Sequence, residues 1–170
     1  HILPKEDYAE FVDHPKNLIP CCTTCNSKKN RYWKENGTFL FLNLYIDDIP
    51  GEQYLFLSVT QTDSWPILRF SIKNENGIDE IIFKRISSHY AKLDLCRRFE
   101  EASGQYLSEI QDSIHSLKEM GHKDEQIRTI LIKMGDQLQS REGPNYWRVV
   151  LLRTVVNNSI LYSALSSNLR

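Results

Sequence analysis

The chain has 170 residues, 41 % of them apolar, with three tryptophans and a formal net charge of −1, so it is long enough for one domain with its own core, or one with a small appended module. The near-neutral balance excludes a molecule-wide basic field, and any contact with nucleic acid must come from a local patch. No stretch approaches the roughly 20 apolar residues of a membrane-spanning helix, so no membrane association is expected.

Three segments separate along the chain. Residues 1–36 are rich in Pro, His, Cys and Lys and hold the chemistry-bearing side chains. Residues 37–87 read as a small β-rich segment. Within it, Gln53 to Thr60 is rich in β-formers, and Leu68, Phe70 and Ile72 alternate with charged or hydroxyl residues, the period of a half-buried strand. Asp63-Ser64-Trp65-Pro66 joins these two runs, and Asn74-Glu75-Asn76-Gly77 is turn chemistry ahead of Ile81-Ile82-Phe83, which is placed with the strands. Residues 88–170 read as helical. Leu107, Ile110, Ile114 and Leu117 fall at helical spacing, as do Ile127, Ile130, Leu131, Met134 and Leu138. Gly143-Pro144-Asn145 breaks the pattern, and one final helix is expected from about Tyr146 to Ser166. Its run Val149-Val150-Leu151-Leu152 makes it apolar nearly all round, which suits the buried spine of a bundle or a surface covered by a partner.

Cysteine placement bears on both compartment and chemistry. Cys21, Cys22 and Cys25 are clustered, whereas a disulfide framework spreads its bridges along the chain. The cluster reads as metal ligation in a reducing, cytoplasmic setting. Cys22 and Cys25 can grip one Zn²⁺ from one side, but a closed structural site needs four ligands. Cys96 lies in a helical run with no second cysteine near it, so the other pair is expected upstream of His1.

Around the cysteines stands a longer pattern: His1-Ile2-Leu3-Pro4-Lys5, then Asn17-Leu18-Ile19-Pro20, then Cys22-Thr23-Thr24-Cys25-Asn26-Ser27-Lys28-Lys29. It resembles the HNH (His-Me finger) endonucleases, in a variant with asparagine at the third position, and covers about the first 35 residues. The resemblance implies an α+β protein. A ββα-metal finger, its front part truncated, would occupy 1–36, followed by the small sheet of 37–87 and the helical region of 88–170. In the finger, His1 would end the first strand, Asn17 would lie beside the second, and the helix would begin near Cys25 or Asn26.

The resemblance also implies roles. His1 would be the general base, which suits an imidazole titrating near neutral pH. Asn17 would orient that histidine or pin the hairpin through its side-chain amide. Asn26 would bind the catalytic Mg²⁺ or Mn²⁺ through its carbonyl oxygen, a hard donor that favours such ions. Zn²⁺ at Cys22 and Cys25 would be structural. The family's aspartate, a second metal ligand immediately before the histidine, is expected ahead of His1. The implied reaction is metal-dependent hydrolysis of DNA phosphodiester bonds. Long-tailed HNH proteins further resemble effectors of bacterial anti-phage systems that act beside an ATPase, for which the C-terminal helices would be the partner surface.

Lys28, Lys29, Arg31 and Lys34, interleaved with Tyr32 and Trp33, form a basic run that can contact phosphates without reading sequence. Asp47-Asp48 reads as a loop cap, and His14, His89, His115 and His122 as loop, surface or core-edge residues. The competing class is a catalytically inactive zinc-stabilised module that binds nucleic acid or adapts another protein.

Overall fold

The computed structural model describes residues 1–167; the last three positions of the 88–170 segment lie outside the described residues. The protein is α+β, with six α-helices and two small antiparallel sheets among the described residues. Two compact units interleave along the chain: one is made of residues 1–50 and 74–95, the other of 51–73 and 96 onward. These units do not follow the three consecutive segments read from the sequence. The β-rich pair of strands belongs with the C-terminal helices, and the chain then returns to the first unit before entering them.

The first unit starts with a segment that contains no strand up to residue 22 and only two 3₁₀ turns, Ala9–Phe11 and Pro15–Asn17. Among the described residues, no strand forms on either side of Asn17, where the second strand of the finger was expected. Pro4, Pro15 and Pro20 each remove a ladder donor, and one backbone bond, from Ile2 N–H to the Asn17 carbonyl at 3.0 Å, joins the two stretches. Helix α1 (Thr23–Lys29) follows, capped by Cys22, whose Sγ accepts the Cys25 N–H at 3.4 Å. Strands β1 (Lys34–Glu35) and β2 (Thr38–Phe39) form a minimal hairpin over Asn36 and Gly37. Both turn residues have positive φ, 48° and 82°, as a two-residue turn matching the strand twist requires.

Ile81-Ile82-Phe83, grouped with the strands on composition, is instead the first turn of helix α2 (Glu80–Leu93). Asp79 decides it: its Oδ1 accepts the N–H groups of Ile81 and Ile82 at 2.9 and 3.2 Å, an N-cap that a strand cannot use. The core beneath α1 comprises Leu40, Phe41 and Leu93, with Cys25 and Leu95 packed against it.

The second unit pairs β3 (Leu55–Thr60) with β4 (Ile67–Ile72) in full antiparallel register, Leu55 opposite Ile72 through Thr60 opposite Ile67. Helices α3 (Leu95–Glu119, whose first residue belongs to the other unit) and α4 (Asp124–Glu142) follow. The single last helix expected from the sequence is two: α5 (Trp147–Asn157) and α6 (Ser159–Ser166), bent by 88°. Asn158 makes the break, ending α5 with an extended backbone and capping α6 through Oδ1, which accepts the Leu161 N–H at 2.9 Å. Val149 to Leu152, Val155, Val156, Leu161 and Leu165 are buried inside this unit. The apolar faces of α5 and α6 are thus spent on the bundle, the first of the two settings that the sequence allowed. Among the described residues, no single helix is long and apolar enough to cross a membrane.

Candidate active site

Asn17 organises the first twenty residues. It is 5 % exposed, and its side chain bonds to backbone in three places. Oδ1 accepts the Leu3 N–H at 2.7 Å, while Nδ2 donates to the Leu3 carbonyl at 3.2 Å and to the Phe11 carbonyl at 2.9 Å. An amide supplies both donor and acceptor, so it can replace the ladder that the prolines forbid. By tying Phe11 down, Asn17 also places the next carbonyl, that of Val12.

That carbonyl receives His1, whose Nε2 lies 3.2 Å from the Val12 oxygen. A carbonyl only accepts, so Nε2 carries the proton in this bond and the Nδ1 lone pair is left available for a proton. The imidazole is exposed and lines a cleft of about 480 Å³. Two stretches of chain line it: His1, Pro4, Lys5 and Glu6 from one, and Asn26, Ser27, Asn30 and Arg31 from α1 and its C-terminal end. His1 and Asn26, assigned as base and metal ligand, therefore share one cleft. Asn17 lies behind it as a buried support. Lys5 and Glu6 are lining residues that the sequence reading passed over, although they follow His1 within the same short motif.

The basic run divides. Lys28 pairs with Asp94 at 3.5 Å. Lys29 is partly buried with its ammonium 5.6 Å above the Phe41 ring; burial pushes its pKa below the ordinary lysine value, an effect that nearby Cys21 partly offsets. Lys34 lies 5.6 and 5.7 Å from the Trp33 and Phe39 ring centres. Arg31 alone of the four reaches the cleft.

The fit for metals differs between the two candidate centres. Asn26 and Glu6 bring an amide oxygen and a carboxylate to the same cleft, hard donors of the kind Mg²⁺ or Mn²⁺ takes. Cys22 and Cys25 hold the turn into α1, Cys22 exposed and Cys25 half-buried. Among the described residues no group of three or more His, Cys, Asp or Glu side chains is placed to hold a metal ion, and two thiols are half of what a closed tetrahedral site needs.

His89 stands on α2 with Nδ1 accepting the Leu42 N–H at 3.1 Å and its ring edge-on to Phe41. Burial lowers its pKa to about 4, so it is neutral and committed to the core edge. Asp47 caps its loop: Oδ2 accepts the Asn43 N–H at 2.8 Å, and Oδ1 pairs with Arg85.

No family model matches the chain, and no solved structure does. It is similar to Protein ea31 of Escherichia phage lambda, 24 % identical over 169 residues, an alignment that takes in 93 % of this chain and 57 % of that protein. The chain thus spans a little over half the length of this relative.

Proposed function

We propose that the chain carries the catalytic centre of an HNH-type, metal-dependent endonuclease acting on DNA phosphodiester bonds. The observation that carries this reading is the shared cleft: two motif residues far apart in sequence, His1 and Asn26, line one space large enough for a backbone phosphate. In this reading Nδ1 of His1 takes a proton from a water molecule as its oxygen attacks phosphorus. The new P–O bond forms in line with the breaking one, and the departing oxygen is protonated by solvent. Val12 holds the imidazole tautomer through Nε2–H, and Asn17 acts as a positioning residue that fixes the Val12 loop. A divalent cation held by Asn26 with Glu6 would neutralise charge building on the phosphate oxygens.

Zn²⁺ at Cys22 and Cys25 belongs to the same reading, with two further ligands from outside the described residues. A reducing, cytoplasmic setting suits those thiols. A role beside an ATPase in anti-phage defence is also part of it, with the partner docking on the C-terminal helices, where Ile132 and Met134 of α4 are exposed apolar residues.

The test is supercoiled plasmid incubated with Mg²⁺ or Mn²⁺ and the wild-type chain, His1→Ala or Asn26→Ala. Wild type is expected to nick the plasmid, and His1→Ala to lose at least about 10²-fold in rate. Equal cleavage by wild type and His1→Ala would remove the assigned base.

A further inference from the structure

We infer that Lys5 and Arg31 form the anion grip of the cleft, holding a nucleic-acid backbone phosphate from its two lining stretches. This rests on the nuclease reading above for the identity of the anion. It departs from the expectation that the α1 run as a whole makes the contact.

The cations near the site are not equivalent. Lys28 is engaged with Asp94, Lys29 is partly buried above Phe41, and Lys34 lies over Trp33 and Phe39. Lys5 and Arg31 line the cleft and make no ion pair among the described residues. Their backbones are placed by local structure. The buried Pro4 accepts the Asp7 and Tyr8 N–H groups at 3.3 and 3.0 Å, which puts Lys5 and Glu6 at the apex of a tight turn. At the other stretch Asn30, with φ 47°, ends α1 and turns the chain so that Arg31 follows outside the helix.

The chemistry of the two is complementary. A guanidinium fork can take two non-bridging phosphate oxygens at once, while an ammonium is a compact point charge that needs no fixed orientation. Glu6 is the single carboxylate in the lining, so Lys5, Arg31 and Glu6 sum to a formal charge of +1 without any metal ion. The cleft therefore attracts an anion before metal enters.

The test separates this grip from catalysis. Binding of a fluorescent DNA duplex to the full chain is followed by anisotropy across a salt series, with chelator present so that no cleavage occurs. Lys5→Ala and Arg31→Ala are each expected to weaken binding about three- to tenfold and to lower the slope of log affinity against log salt by about one. Arg31→Lys should restore the slope, and Lys28→Ala should leave both quantities unchanged. Unaltered slopes in Lys5→Ala and Arg31→Ala, an equal loss in Lys28→Ala, or no binding by wild type would overturn the proposal. A wild type that binds with these slope changes but never nicks plasmid defeats the nuclease reading and leaves the grip standing. One that nicks while the slopes stay fixed does the reverse.

Discussion

Replacing Asn17 by alanine tests whether one amide holds the first twenty residues in place of a sheet. The substitution deletes three hydrogen bonds, to the Leu3 N–H, the Leu3 carbonyl and the Phe11 carbonyl. At about 1 kcal/mol net for each bond, the segment should lose roughly 3 kcal/mol, with more where a stranded backbone group stays dry. That corresponds to an increase on the order of 10²-fold in local opening. Amide exchange read residue by residue should show it at Leu3 and Ile2, whose N–H groups end on Asn17. Fluorine-labelled tryptophan separates the units in urea, because Trp33 reports the first, and Trp65 and Trp147 the second. The Trp33 transition should move to lower urea and the other two should not. Asn17→Asp sharpens the test: it keeps the acceptor for Leu3 but aims a second oxygen at two carbonyls, so it should destabilise at neutral pH and less so once the carboxyl is protonated. A loss below about 0.5 kcal/mol in Asn17→Ala, typical of an ordinary surface change, would refute the bridging role and with it the link from Asn17 through Val12 to His1.

In the second unit Asn145 plays the same part, with Oδ1 accepting from Tyr54 and Leu55 at 2.7 and 3.0 Å and Nδ2 donating to the Glu52 carbonyl at 2.8 Å; Asn145→Ala should cost about 2–4 kcal/mol, read at Trp65 and Trp147. His89 has a folded pKa near 4 against an unfolded value of 6.5. Above pH 6.5 both states are neutral, and as pH falls towards 4 only the unfolded chain gains the proton. The first unit should therefore lose about 3 kcal/mol across that window and little more below it, while His89→Asn, which retains an acceptor for Leu42, should flatten the slope. An unchanged slope in that variant would assign the acid loss to other groups. Gly135→Ala should stabilise the fold by about 0.5–1 kcal/mol of helix propensity and so raise the melting temperature, because a methyl there meets Leu152 Cδ2 at an ordinary 3.7 Å; a fall would mean that α4 and α5 cannot accept it.

How much of this was legible depended on whether the deciding interaction is local and periodic. The apolar repeat from Leu107 to Leu117 and from Ile127 to Leu138 predicts α3 and α4, and the alternation Leu68-Phe70-Ile72 predicts β4, because burial on one face leaves its period in the sequence. Ile81-Ile82-Phe83 misled because three β-formers outweighed one capping aspartate two residues earlier. The break at Asn158 is equally local, an asparagine pair followed by serine, but it lies inside a run whose apolar character by itself predicts one continuous helix. Asn36-Gly37 is a strong two-residue turn signal that the neighbouring chemistry eclipsed. At the site, residue types and order mark His1, Asn17 and Asn26. They cannot mark the Val12 carbonyl, since a backbone acceptor has no sequence signature. Nor could they sort the basic run, because what distinguishes Arg31 from Lys28 is Asp94, which lies far along the chain.

The residues lining the cleft all lie within 1–36, but the core that supports them does not. A segment of that length cannot build a core of its own without a metal or other staple, and here α1 leans on residues that come later. Cys25 packs against Leu40, Phe41 and Leu93, so the half-buried residue that the motif assigns to zinc also anchors the helix to α2. The geometry of His1 and Asn26 then rests on two supports of different origin. Asn17 fixes the histidine side from within the motif. The Leu40–Phe41–Leu93 cluster fixes the asparagine side from sequence that leaves the unit at Pro50 and re-enters it only at Asn74.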